Sequence, residues 1–219
     1  MDKKKLIGTI IGVIAFAALI AGATYAWLSS TATVTNRVIN NATSKNFTFT
    51  YAGSAEVSGF IPLTLANSTP AKIANNASQA STAGDGWAAV TASKGANTPK
   101  AGIFRLKLNI TKNTFSTDSI LYAVCKGACP DSALITAVNG TSATCSTNSA
   151  VVSCGVVSHG STTAINLYDD KTTFNVNGNV DSTTYNIYFW LNGDTFNDSG
   201  KQFTGYISAQ ASQNAAGLS

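Results

Sequence analysis

The chain has 219 residues, a formal charge of +4 and charged side chains at only 11% of positions. So small a charge gives no electrostatic reason to bind nucleic acid, and a surface kept soluble by the hydroxyls and amides of Ser, Thr and Asn suits an exported protein. With His159 as the single histidine, a zinc-protease site of the two-histidine type cannot be built from one chain.

The first element is Met1-Asp2-Lys3-Lys4-Lys5 followed by Leu6 to Leu28 without a charge. The lysines hold the N-terminus on the cytoplasmic side while the apolar run crosses the bilayer, so everything from about Trp27 is expected outside, extracellular or at the cell surface. Residues 1–26 therefore read as a signal peptide or a membrane anchor, an N-terminal hydrophobic helix. A signal core needs ~7–15 apolar residues and a permanent span ~18 or more, so length permits both fates. The small residues of its second half favour cleavage by signal peptidase, after Ala23 or after Ala26. Uncleaved, the chain would meet the membrane only through residues 6–28.

Residues 27–219 are long enough for one domain with a substantial core. Their periodicity is two, that of half-buried strands. Candidate strands run over Val34–Ile39, Phe47–Tyr51, Ile103–Ile110, Ile120–Cys125, Ala133–Val138, Ala150–Val157, Ala164–Tyr168, Thr173–Val176, Thr184–Leu191 and Phe203–Ala209. Phe104, Leu106, Leu108 and Ile110 share one face, as do Tyr185, Ile187, Phe189 and Leu191, and again Phe203, Gly205, Ile207 and Ala209. Asn139-Gly140, Asn177-Gly178 and Asn192-Gly193 are dipeptides of tight hairpins. The expected fold is all-β, an antiparallel β-sandwich or jelly roll.

A small-residue-rich insertion at about 66–100 breaks the alternation. Thr69 before Pro70 resembles a helix N-cap with proline in the first turn, giving a short helix over Ala71–Ala80 or else a surface loop. Trp87 is expected to anchor this insertion by packing.

Cys125, Cys129, Cys145 and Cys154 fall close together in an exported chain, where disulfides are expected over zinc because the second pair has the wrong spacing for a metal site. Both neighbour pairing and nested pairing (Cys125 with Cys154, Cys129 with Cys145) are open. The nested form, which would staple two antiparallel strands, is preferred.

Little else in the chain carries chemistry. There is no Gly-x-Ser-x-Gly elbow and no phosphate-cradling glycine loop, and Ser158-His159-Gly160 reads as a polar turn. Asp169 with Asp170, or Asp194 with Asp198, could offer oxygen ligands to calcium, but turn aspartates usually serve as caps. No enzyme activity, cofactor or metal is expected.

The junction Ala23-Thr24-Tyr25-Ala26-Trp27-Leu28-Ser29-Ser30-Thr31-Ala32-Thr33-Val34-Thr35-Asn36-Arg37-Val38-Ile39, then Phe47-Thr48-Phe49, resembles the start of the TasA/camelysin-like secreted proteins. The tail, Tyr188-Phe189-Trp190-Leu191-Asn192-Gly193 through Phe203 to Gln210, is similar to the closing strand pair of related surface proteins. The resemblance implies a jelly-roll subunit of an extracellular fibre or biofilm matrix, released by signal peptidase. Some relatives are described as proteases, which the single histidine argues against here.

Cleavage would free an N-terminal strand whose Ala32, Val34 and Val38 could be donated to another copy, self-association resting on main-chain hydrogen bonds. Two rivals keep the leader. One is a type IV pilin-like filament subunit cut near Lys5-Leu6-Ile7-Gly8, which lacks the usual glutamate of the mature helix. The other is a membrane-anchored monomeric surface adhesin.

Overall fold

The structure is a computed structural model that describes residues 33–35, 40–42, 47–53, 56–58, 60, 62–74, 86–94, 102–174, 182–195, 198 and 200–212. The expected leader, with Ala23 and Ala26, lies outside them, as do Ala32, Val38 and Asn177-Gly178.

In chain order the elements are β1 (Thr33–Thr35), β2 (Asn40–Ala42), β3 (Phe47–Gly53), β4 (Glu56–Ser58), β5 (Pro62–Leu63), a 3-10 turn at Leu65–Asn67 and α1 (Pro70–Ile73). There follow β6 (Trp87–Lys94), β7 (Gly102–Asn113), β8 (Ile120–Lys126), β9 (Ile135–Asn139), β10 (Ser142–Cys145) and β11 (Val151–Val157). The chain closes with β12 (Ile165–Phe174), β13 (Ser182–Asn192) and β14 (Phe203–Ser212).

Two sheets carry the fold. The larger has the order β11-β8-β13-β6-β3, antiparallel throughout, with β5 added in parallel at the end of β13. The smaller has the order β12-β7-β14-β2, antiparallel except for β2, which runs parallel to β14. Two antiparallel ribbons, β1 with β4 and β9 with β10, form ladders of their own outside the two sheets.

Alternation explains how the sheets meet. Phe104, Leu106, Leu108, Ile110, Phe203, Ile207 and Ala209 project from the smaller sheet onto Val90, Ile120, Tyr122, Val124, Tyr185, Ile187, Phe189 and Leu191 of the larger, forming one inner core. Each fully buried Phe, Leu or Ile there contributes about 1.5–3 kcal/mol relative to exposure. Phe60 joins this layer, with its ring 6.1 Å from Phe189 and 5.8 Å from Phe203.

The larger sheet also buries its outer face. Leu121, Ala123, Cys125, Val156, Tyr188 and Trp190 form a second core under Ile73 of α1 and Leu134 and Ile135 at the start of the β9–β10 ribbon. A sheet covered on both faces needs uninterrupted apolar strands, which is what Ile120–Cys125 and Tyr188–Leu191 supply.

Two expectations, the insertion and the hairpin at Asn192-Gly193, need correction. The stretch at about 66–100 is not wholly an insertion, because β6 occupies its second half as an internal strand between β13 and β3. Its Ala88, Ala89 and Ala92 are buried but small, so the sequence shows no contrast between faces. Trp87 is the first residue of that strand, donating Nε1–H to Asn186 Oδ1 at 3.2 Å and packing on the outer core. Asn192-Gly193 makes no hairpin: the chain crosses to the other sheet, and Gly193 N–H donates to Leu63 O, holding β5 in place.

The helix start matches the sequence reading. Thr69 caps α1 by accepting from Lys72 N–H, and Pro70 occupies the first turn. The expected extent to Ala80 runs into residues outside those described.

Candidate functional site: the N-terminal edge and the tied outer layer

Disulfides join Cys125 to Cys129 and Cys145 to Cys154, with Cα separations of 5.5 Å in each. The preferred nested pairing is therefore wrong, and register gives the reason. A bulge in β11 sets Cys154 opposite Ala123 and leaves Cys125 opposite Val151, so Cys125 and Cys154 are diagonal neighbours. Diagonal Cα atoms lie ~7–8 Å apart, beyond the reach of a disulfide. Instead, Cys125–Cys129 closes the turn through Gly127 (φ 74), and Cys145–Cys154 ties the ribbon to the sheet beneath it.

The donor-strand expectation centres on β1 and β2. Val34 lies in β1, opposite Val57 of β4, and β1 rests beside β14. β2 meets β14 over Asn40–Ala42 against Ala209–Ala211 only. The opposite edge of β14 is paired by β7 from Phe203 to Ser212. Among the described residues, no strand ladders with the remaining length of that free edge, Phe203 to Ser208.

The outward face of β14 is polar but covered. Ser208 is only 6% exposed, and Gln210 Oε1 is buried with no hydrogen-bond partner. Asn109 donates to Ser208 Oγ at 2.8 Å, while Arg105 grips Asp169 in a bidentate pair at 2.6 and 2.8 Å. An orphaned buried amide oxygen costs about 1–3 kcal/mol, so this seat is imperfectly matched to what covers it.

The aspartates considered as calcium ligands are otherwise engaged. Asp194 accepts from Leu65 N–H, and Asp198 accepts from the backbone N–H and the hydroxyls of Ser116 and Thr117. Among the described residues no three of His, Cys, Asp and Glu converge on a metal-sized site. His159, half exposed, contacts Asp118 through Nδ1 at 2.8 Å. Burial pushes the Asp118 carboxyl up, but the backbone and ring of His159 together hold it below its ordinary value.

Two shallow cavities lie on the outer side. One of about 210 Å³ is bounded by α1, the Cys129-Pro130-Asp131 turn and Tyr188, whose phenol burial raises to about 12 against a hydrogen bond from Trp87. The other, about 320 Å³, is lined by Leu65, Asp118, Asn192 and Asp194. Neither gathers a nucleophile with a base.

Comparison with protein-family models, with curated proteins and with solved structures returns no match to this chain.

Proposed function

We propose that the chain is an exported structural subunit of an extracellular fibre or biofilm matrix, assembling by donation of its N-terminal strand segment to another copy. The observation that carries this reading is the outer edge of β14, which among the described residues ladders with β2 only over Ala209–Ala211, with β1 lying beside it, while β7 pairs the other side from Phe203 to Ser212. An open edge is a template for strand addition. Hydrogen bonds contribute a net of about 0.5–1.5 kcal/mol each, so a three-residue pairing holds β2 weakly, and an equivalent segment from a neighbour can replace it. The buried Gln210 oxygen without a partner marks a seat that a better-fitting strand would improve.

In this reading the sandwich is a jelly roll. The connections β6–β7, β7–β8, β11–β12, β12–β13 and β13–β14 each cross from one sheet to the other, and β2 at the edge runs parallel to β14 where a jelly roll would have it antiparallel. That departure is what an exchangeable edge segment would produce. Secretion, release by signal peptidase after Ala23 or Ala26, and kinship with the TasA/camelysin-like proteins belong to the same proposal.

The test is to remove residues 29–39 from the mature chain and compare it with the intact protein by electron microscopy and size-exclusion chromatography. Fibres from the intact chain and a soluble monomer from the truncation are expected. Fibres persisting in the truncation would overturn strand donation, and a native N-terminus at Thr9 by mass spectrometry would replace it with a pilin-type helix core.

A further inference from the structure

A second feature is independent of assembly. Lys126 ends β8 in the larger sheet, and Asp170 lies on β12 in the smaller one, yet Lys126 Nζ sits 2.8 Å from Asp170 Oδ2. The Asp170 side chain is 0% exposed and that of Lys126 is 33% exposed. Tyr185 donates its hydroxyl to the same Oδ2 at 2.6 Å. Its ring stacks on Phe104 with centroids 4.7 Å apart, and the ring of Tyr168 lies 5.9 Å away. A half-buried primary amine and a fully buried carboxyl thus touch between the two sheets, beside the ring of Tyr185.

An ionised carboxylate is costly at the depth of Asp170, because desolvation offsets much of its attraction to the lysine. Moving one proton from the ammonium to the carboxylate removes both charges and leaves an amine beside a carboxylic acid, the pair able to condense. We propose that Lys126 and Asp170 join in an intramolecular amide, a covalent staple between the sheets. The Nζ lone pair attacks Cγ, the Nζ–Cγ bond forms and the Cγ–Oδ2 bond breaks. Oδ2 departs as water, carrying the two protons that the ammonium surrenders, so no oxidant or co-reactant is needed.

Tyr185 supports the step by donating its O–H to Oδ2, the oxygen that leaves, and so eases its departure as the Cγ–Oδ2 bond breaks. Amide formation is unfavourable between separate molecules in water. Two groups fixed in contact have effective concentrations up to ~10⁵–10⁸ M, which reverses that balance where water is scarce.

The test is mass spectrometry of the full chain, folded and then reduced. The expected mass is lighter than the sequence by one water, and trypsin should release one branched species joining the peptides of Lys126 and Asp170, uncut after Lys126. Asp170→Ala and Lys126→Arg should each restore the lost mass and separate the peptides. Separate, unmodified Lys126 and Asp170 peptides from the folded wild-type chain would overturn the proposal and leave a plain ion pair. Because the wild-type digest decides alone, a variant that fails to fold does not affect the outcome.

Discussion

Phe189 and Trp190 are neighbours on β13, yet they belong to different layers: Phe189 points between the sheets and Trp190 into the outer core. Around Phe189 the layer is built mainly by long alternating strands, with Phe60 and Phe115 joining from loops, and it contains no disulfide. Around Trp190 the covering pieces are a single helical turn, a two-stranded ribbon and short loops, and both disulfides are there. Short isolated elements cannot repay their own ordering entropy, and two-stranded ribbons are marginal alone in water. The difference teaches that disulfides appear where regular pairing runs out.

The sharpest way to break this comparison is to truncate the two neighbours. Both are almost fully buried, at 1% for Phe189 and 0% for Trp190. Phe189→Ala and Trp190→Ala should each destabilise by about 3–5 kcal/mol in urea unfolding, since cost follows buried volume and residual cavity. A near-zero cost for Trp190→Ala would show that the outer layer is an appendage and not a second core.

Removing the links comes next in size. Closing the longer loop should restrict the unfolded chain more, so Cys145→Ser with Cys154→Ser should cost about 3 kcal/mol and Cys125→Ser with Cys129→Ser about 2 kcal/mol. Thermal unfolding with and without reductant measures both. The inverse order would mean that native contacts around buried Cys125, and not chain entropy, dominate.

The inner layer was legible in the sequence because its strands have one apolar and one polar face. Phe104, Leu106, Leu108 and Ile110 alternate with Arg105, Lys107 and Asn109, and the first four are all buried. The outer layer was not, because strands buried on both faces lose alternation, and Ala88, Ala89 and Ala92 offer too little contrast to reveal β6. The cysteines were visible as disulfide formers, but their partners depended on one bulge in β11, which periodicity cannot announce. Gly86 shows the same limit. It takes φ +61 and lets its carbonyl accept from Phe189 N–H, and a Cβ there would lie 2.3 Å from Phe189 O.

The inner layer has its own loop to secure after β7, and it uses a carboxylate where the outer layer uses sulfur. Asp198, 3% exposed, accepts from Thr117 N–H at 2.8 Å, from Ser116 N–H at 2.9 Å and from both hydroxyls. Burial pushes its carboxyl up, but the hydrogen bonds from Ser116 and Thr117 outweigh it and hold the group below its ordinary value. A depressed folded value means that the unfolded chain binds the proton more readily. The stabilisation is therefore fully present above the unfolded value of about 4 and is lost as pH falls through the folded one. Asp198→Ala should cost about 1–3 kcal/mol at neutral pH by stranding these donors, with a smaller cost at acid pH. Urea midpoints taken from neutral pH downward, with the disulfides intact, measure it. The gap between wild type and variant should begin to narrow only below about pH 4 and shrink further as pH falls through the folded value, and an equal gap at every pH would mean that the carboxylate charge contributes nothing to closing the loop.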